Sequence, residues 1–247
     1  ADDIVDEFAT SCLMGTGQFC TNPGVVLLLA GEETEAFIAA ASSKFGGAPV
    51  GTLLTGAVQS GLEETVKTLQ SAGAVLVTGG EVGGGTGYSY SNTLLRVSGE
   101  EFIADPERLQ TEAFGNESLF VVAADLEEAS HVVRHFEGNL TGALYTDSEG
   151  ADDKAYGIIA PVLRRKVGRL LNDKMPTGVA VSSAMNHGGP FPATGHPGFT
   201  AVGIPAALRR FAMLQSYDNV RQDRLPSELR EGNPLGIWRF VDGEFTK

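Results

Sequence analysis

Gly15-Thr-Gly-Gln-Phe-Cys-Thr-Asn-Pro-Gly-Val-Val-Leu-Leu-Leu-Ala30 changes character twice in a short span. Ahead of it, Ile4, Val5, Phe8 and Ala9 recur at helical spacing among Asp2, Asp3, Asp6 and Glu7, so an amphipathic helix runs up to the break at Gly15 to Gly17. Thr21-Asn-Pro-Gly24 is a turn. Val25 to Ala30 is a short apolar run of the kind buried in a sheet covered on both faces. Glu32 and Glu33 favour a helix start, Phe37, Ile38, Ala41 and Phe45 give its apolar face, and Gly46-Gly47 stops it. The result is one strand–helix unit.

The alternation continues, with a helix around Leu62 to Ala72, a strand from Ala74 to Thr78, a glycine-rich flexible loop and a strand from Tyr88 to Val97. Strand Leu119 to Ala124, helix Leu126 to Phe136 and strand Gly142 to Thr146 follow. Ala155, Ile158, Ile159, Val162, Val167, Leu170 and Leu171 then predict one long amphipathic helix, ahead of a strand from Gly178 to Ser182. This predicts an α/β fold with a largely parallel open sheet flanked by helices. Asn186 to Phe199 is rich in Gly, Pro and His, a helix is expected over Ile204 to Leu214, and Gln222 to Pro234 is polar and irregular. Ile237 to Val241 and Glu244 to Thr246, joined by Asp242-Gly243, predict a C-terminal β-hairpin that packs on the domain or on a partner. The division expected is a domain over 1–215 and an extension over 216–247.

Composition restricts the function. Asp plus Glu number 31 against 18 Lys plus Arg, a formal charge of −13, which repels phosphate backbones and anionic lipid and argues against nucleic-acid binding. The apolar runs are too short to span a bilayer, and Ala1-Asp2-Asp3 offers no cationic lead-in to a signal peptide, so a soluble protein is expected. If the segment before it is helical, Cys12 lies about 12 Å along the axis from Cys20, too far for a disulfide. Two reduced thiols suit a cytoplasmic location.

Cys20 lies where a helix breaks and a proline turn follows, so its side chain faces a cleft or a core; unpaired cysteines are most often buried small hydrophobes. The glycines from Gly79 to Gly87 are followed by no Gly-Lys-Ser/Thr and lead into a strand, which favours an inter-strand loop over a phosphate cradle. His131 and His135, near Glu127 and Glu128, have metal-ligand spacing without an evident third ligand, so no metal is assigned. His187 and His196 flank the Gly-Pro loop, as cleft residues or as loop braces. Phe19 and Phe191 are candidates for the apolar wall of a pocket, Phe19 equally for the core.

Gly15 to Gly24 resembles the cysteine motif of the aldehyde dehydrogenase superfamily, in which Gly-Gln-x-Cys carries the nucleophile. Thr111-Glu-Ala-Phe-Gly115 resembles the family's Glu-x-Phe-Gly segment, Gly79-Gly80 with Tyr88 to Leu95 its Gly-Gly loop and next strand, and Asn139 to Thr146 its Leu-x-Ala-x-Leu strand. Asn186-His-Gly-Gly-Pro-Phe-Pro-Ala-Thr194 narrows the resemblance to α-ketoglutarate semialdehyde (2,5-dioxovalerate) dehydrogenases. It implies an NAD- or NADP-dependent oxidation of an aldehyde on the thiolate of Cys20, with Glu112 holding the nicotinamide ribose and Phe114 beside the nicotinamide. It further implies that Phe19, Phe191 and His187 border the aldehyde, and that the protein is a homo-oligomer. In the family the dinucleotide-binding domain, the glutamate base and the oxyanion asparagine lie upstream of this motif, so an N-terminal half is the expected partner. Asn116 departs from the family's usual proline after Phe-Gly. Two other readings remain open, a non-catalytic binding or oligomerisation module and a cofactor-independent thiol esterase.

Overall fold

The computed structural model describes residues 2–196, 198, 200, 202 and 205–247. Ala1 and Ile204, at the start of the expected leading and late helices, lie outside them. The chain divides into two compact units, Ala1–Ala207 and Leu208–Lys247.

In the first unit, α1 (Asp2–Leu13) leads through a short turn to β1 (Val25–Leu29), α2 (Glu32–Gly47), α3 (Gly56–Ser71), β2 (Val75–Thr78) and β3 (Thr93–Ser98). Two short helices follow, α4 (Gly99–Ala104) and α5 (Pro106–Leu109), then β4 (Glu117–Ala123), α6 (Leu126–His135), β5 (Asn139–Leu144), α7 (Asp153–Leu163) and β6 (Val167–Asn172). One sheet has the order β1-β4-β3-β2, parallel except for β2; β5 and β6 form a separate parallel pair. β4 is central and buried at every position, which explains its unbroken apolar run from Leu119 to Ala123.

Alternation along β4 divides the core. Leu119 and Val121 pack with Leu62, Val66 and Leu69 of α3, while Phe120 and Val122 pack with Val5, Phe8 and Cys12 of α1 and with Ile38 and Phe45 of α2. Phe8 is the hub of the second layer, its ring 5.7 Å from Phe45 and 5.6 Å from Phe120. Burying each such ring contributes roughly 1.5–3 kcal/mol. Helix starts are fixed locally: Thr55 caps α3, Asp125 caps α6, and Ser98 with Glu101 forms a capping box on α4.

Four expectations change. The long helix expected through Leu171 ends at Leu163, and Val167 to Asn172 is a strand. Its apolar residues satisfy both periods, and pairing with β5 decides between them. The strand expected over Gly178 to Ser182 does not form, because the carbonyls of Pro176 and Gly178 accept from the Arg169 guanidinium instead of a ladder partner. Regular pairing in the strand expected from Tyr88 begins only at Thr93; Ser89 and Ser91 bond back to Gly83 and Glu81, so the glycine loop is pinned by backbone hydrogen bonds. The late helix reduces to a 3-10 segment, Pro205–Arg210, and Leu208, Phe211 and Leu214 are exposed, leaving a longer helix no packed face.

In the second unit β7 (Arg239–Val241) and β8 (Glu244–Thr246) form the expected hairpin. Asp242 and Gly243 both have positive φ, 50° and 90°, as a tight two-residue connection requires. Among the described residues, no helix is long and apolar enough to cross a membrane.

Candidate active site

Between α1 and β1 the backbone turns left-handed at three consecutive residues, Gly15 (φ 56°), Thr16 (φ 58°) and Gly17 (φ 67°). Thr16 bears a Cβ in that region, a conformation that costs about 1–2 kcal/mol. Gln18 then ties the turn to the segment before α3: its Nε2 donates to the Gly15 and Thr52 carbonyls, and its Oε1 accepts from the Leu54 N–H at 2.8 Å. The outcome is an exposed, unpaired Cys20 directly before β1, with Phe19 beside it, itself 41% exposed.

Cys12 contrasts with it. It is fully buried beside Ser118 Oγ at 3.3 Å, and burial pushes its thiol far above the ordinary range. It is a core residue.

Glu112 and Phe114 lie on the loop entering β4, both exposed. That loop is anchored at two points. Gln110 bonds the carbonyl of His135 and the N–H of Glu137, and Asn116, fully buried, donates to the Tyr90 carbonyl (2.8 Å) and to Asn92 Oδ1 (2.7 Å). The asparagine at the proline position therefore braces the loop from inside. Between these anchors the loop meets the cysteine turn: a Cβ on Gly17 would collide with the carbonyl of Gly115. Only glycine permits so close a backbone approach. Because β1 and β4 are parallel neighbours, both loops stand at the same end of the sheet, the amino ends of the strands.

A third segment arrives from far along the chain. Gly168 in β6 lies against the backbone of Gly188, where a Cβ would strike the Gly188 carbonyl. Asn186 Nδ2 donates to the Gly168 carbonyl at 3.2 Å, and the His187 N–H donates to the buried Thr200 Oγ1 at 2.7 Å. So held, His187 brings Nε2 to 3.2 Å from Cys20 Sγ. Arg169, also on β6, donates to the Pro176 and Gly178 carbonyls and to Met185 Sδ, and its buried Nε has no partner among the described residues. Burial holds the His187 imidazole below the usual histidine range, helped by the positive charge of Arg169. Burial likewise lowers Arg169, opposed by its proximity to the Cys20 sulfur.

Phe191, 78% exposed, lines a surface cleft with Phe136, Gly138, Arg165 and Lys166, so the two ends of the glycine–proline loop have different neighbours. His135 Nδ1 contacts the His131 carbonyl, and among the described residues no three His, Cys, Asp or Glu side chains gather as a metal site. Sequence reasoning missed Arg169, Thr200 and the clamp made by Gln18; the first was hidden in a segment read as helix.

No family model matches the chain. Over 98% of its length it is 40% identical to α-ketoglutaric semialdehyde dehydrogenase 2 of Azospirillum brasilense, and over its whole length 31% identical to α-ketoglutaric semialdehyde dehydrogenase of Acinetobacter baylyi. Each match takes up 46% of the relative, so the chain spans about half the length of the curated relatives it matches. Among solved structures, 1-pyrroline-5-carboxylate dehydrogenase from Thermus with bound NAD superposes over 85% of this chain and 39% of that one, with a TM-score of 0.68 at 22% identity. Lactaldehyde dehydrogenase from Escherichia coli gives 0.65 at 22% identity, over 84% of this chain and 42% of that one.

Proposed function

We propose, from the premise that this chain has the aldehyde dehydrogenase fold, that it is the catalytic half of an NAD(P)-dependent enzyme oxidising a semialdehyde, 2,5-dioxovalerate, to the carboxylic acid. The observation that carries the reading is the contact of Gly17 with Gly115, which joins the turn bearing an exposed Cys20 to the loop presenting Glu112 and Phe114.

Cys20 attacks the aldehyde carbon as the thiolate, since the thiol is a poor nucleophile. The carbonyl oxygen becomes an oxyanion that the Cys20 backbone N–H would stabilise, together with a side-chain donor from the other half of the enzyme. The exposed carboxylate of Glu112 fits the ribose hydroxyls of a dinucleotide and the exposed ring of Phe114 fits a flat heterocycle, so these two residues would hold the cofactor. The nicotinamide, when bound, supplies the hydride acceptor. Phe19, beside Cys20, would form an apolar wall that limits water at the adduct, whereas Phe191 lines the separate cleft with Phe136 and Arg165. A Cys20 thioester is left, and water activated by a base from the other half releases the acid. With this reading go a cytoplasmic setting, supported by two unpaired thiols, and assembly as a homo-oligomer.

The test is formation of reduced nicotinamide from 2,5-dioxovalerate by the protein carrying this chain. Cys20→Ser should lower kcat by at least about 10³-fold, and Glu112→Ala should raise the KM for the cofactor. A Cys20→Ser enzyme that turns over like the parent overturns the assignment, as does full turnover by residues 1–247 on their own. The contact between Cys20 and His187 favours a second reading, a thiol esterase needing no cofactor. Hydrolysis of an activated ester with no NAD(P)-linked oxidation of any aldehyde would support it.

A further inference from the structure

We infer that His187 is the immediate proton acceptor for Cys20, its Nε2 taking the thiol proton as sulfur attacks a carbonyl carbon. The inference rests on the reading above only in taking Cys20 as the nucleophile.

Three observations carry it. The first is the 3.2 Å separation of Nε2 and Sγ, between residues 167 positions apart in the chain. The second is that the backbone carrying His187 is held in place. The His187 backbone is fixed by its N–H to buried Thr200 Oγ1, by the Asn186 bond to the Gly168 carbonyl, by the Gly188–Gly168 backbone contact and by the Thr194 hydroxyl on the Gly189 carbonyl. The third is electrostatic. Among the described residues, the titratable and charged groups that face His187 are Cys20 from the turn and Arg169 from β6. Burial and the Arg169 charge disfavour imidazolium and favour the neutral ring. With its proton on Nδ1, the neutral ring turns a lone pair toward the thiol. The Arg169 guanidinium in turn favours negative charge developing on sulfur.

The step balances without an oxidant. The S–H bond breaks and an Nε2–H bond forms; the sulfur electron pair makes the C–S bond, and the carbonyl π pair moves to oxygen. When the adduct reverts to aldehyde, the proton returns from Nε2 to sulfur. His187 thus has a role apart from lining the aldehyde path, and the chain brings its own base to the first chemical step.

The experiment measures alkylation of Cys20 by iodoacetamide, resolved by peptide mapping, across pH in the protein carrying this chain and in its His187→Ala and His187→Asn variants. Asparagine can still hydrogen-bond sulfur but cannot accept the proton. Near pH 6.5, where an ordinary thiol of pKa about 8.5 is on the order of 1% ionised, the parent should react about tenfold faster than either variant. By about pH 9 the three rates should converge, because any thiol is then largely ionised. Superimposable profiles overturn the inference, and so does a His187→Asn profile that matches the parent. Far-UV circular dichroism of both variants verifies that the fold is kept. Dehydrogenase turnover is measured in parallel. A His187-dependent profile without any NAD(P)-linked turnover sinks the proposed function and leaves the inference standing; turnover with identical profiles does the reverse.

Discussion

Glu117 is 2% exposed at the start of the central strand, and its Oε1 has no partner among the described residues. Burial raises its pKa well above the ordinary carboxyl range. An acid with a raised folded pKa costs nothing below its unfolded pKa of about 4.3 and becomes progressively destabilising as pH rises from there toward the folded value, because the unfolded chain ionises first. Glu117→Gln removes that penalty. Its melting temperature relative to the parent should move in the variant's favour as pH increases from about 4.5 to 7; a constant difference across this range would show that Glu117 does not titrate with folding. Residues of this kind are not legible in sequence, since a lone acid beside Ser118 and Leu119 reads as the polar end of a strand. Cys20, Glu112 and Phe114 could be put forward from sequence because each lies in a local motif. The pairing of Cys20 with His187 was not, because no local pattern reports a contact made across most of the chain.

At the scale of elements, Cys20 and the Glu112 loop stand at the amino ends of β1 and β4, whereas ligands on open α/β sheets usually sit outside the carboxyl ends. What gathers them there is backbone packing, above all at Gly17. Gly17→Ala would add a Cβ in the left-handed region and drive it into the Gly115 carbonyl. The expected loss is about 2 kcal/mol in denaturant unfolding, with slower alkylation of Cys20; unchanged stability would mean that the two loops separate freely. Most of the order of strands and helices was readable from apolar runs and from signals such as Glu32 and Glu33 at a helix start and Gly46-Gly47 at its end. The error over Ala155 to Leu171 arose because Val167, Leu170 and Leu171 fit a helical face and a strand in contact with β5 equally well, and only the partner strand decides.

For the whole molecule, the two units differ in kind. The first has the layered core, while the second buries little: Trp238 is 68% exposed, Phe240 66% and Phe245 75%, although the last two rings meet at 5.0 Å across the hairpin. Trp238 is the one tryptophan in the chain, so its fluorescence reports on the second unit alone. Emission from the dilute chain should be red-shifted and open to acrylamide quenching; a blue, protected emission would contradict the exposure described. That the chain ends in a hairpin was legible from Asp242-Gly243 between apolar runs, whereas what the hairpin rests on has no signature in its own residues. The two sulfurs carry a different consequence. With Cys12 sealed on the inner face of α1 and Cys20 open to solvent, the native chain titrates as a monothiol and the unfolded chain as a dithiol, so the number of equivalents of thiol reagent consumed counts the fraction of molecules that have lost their core.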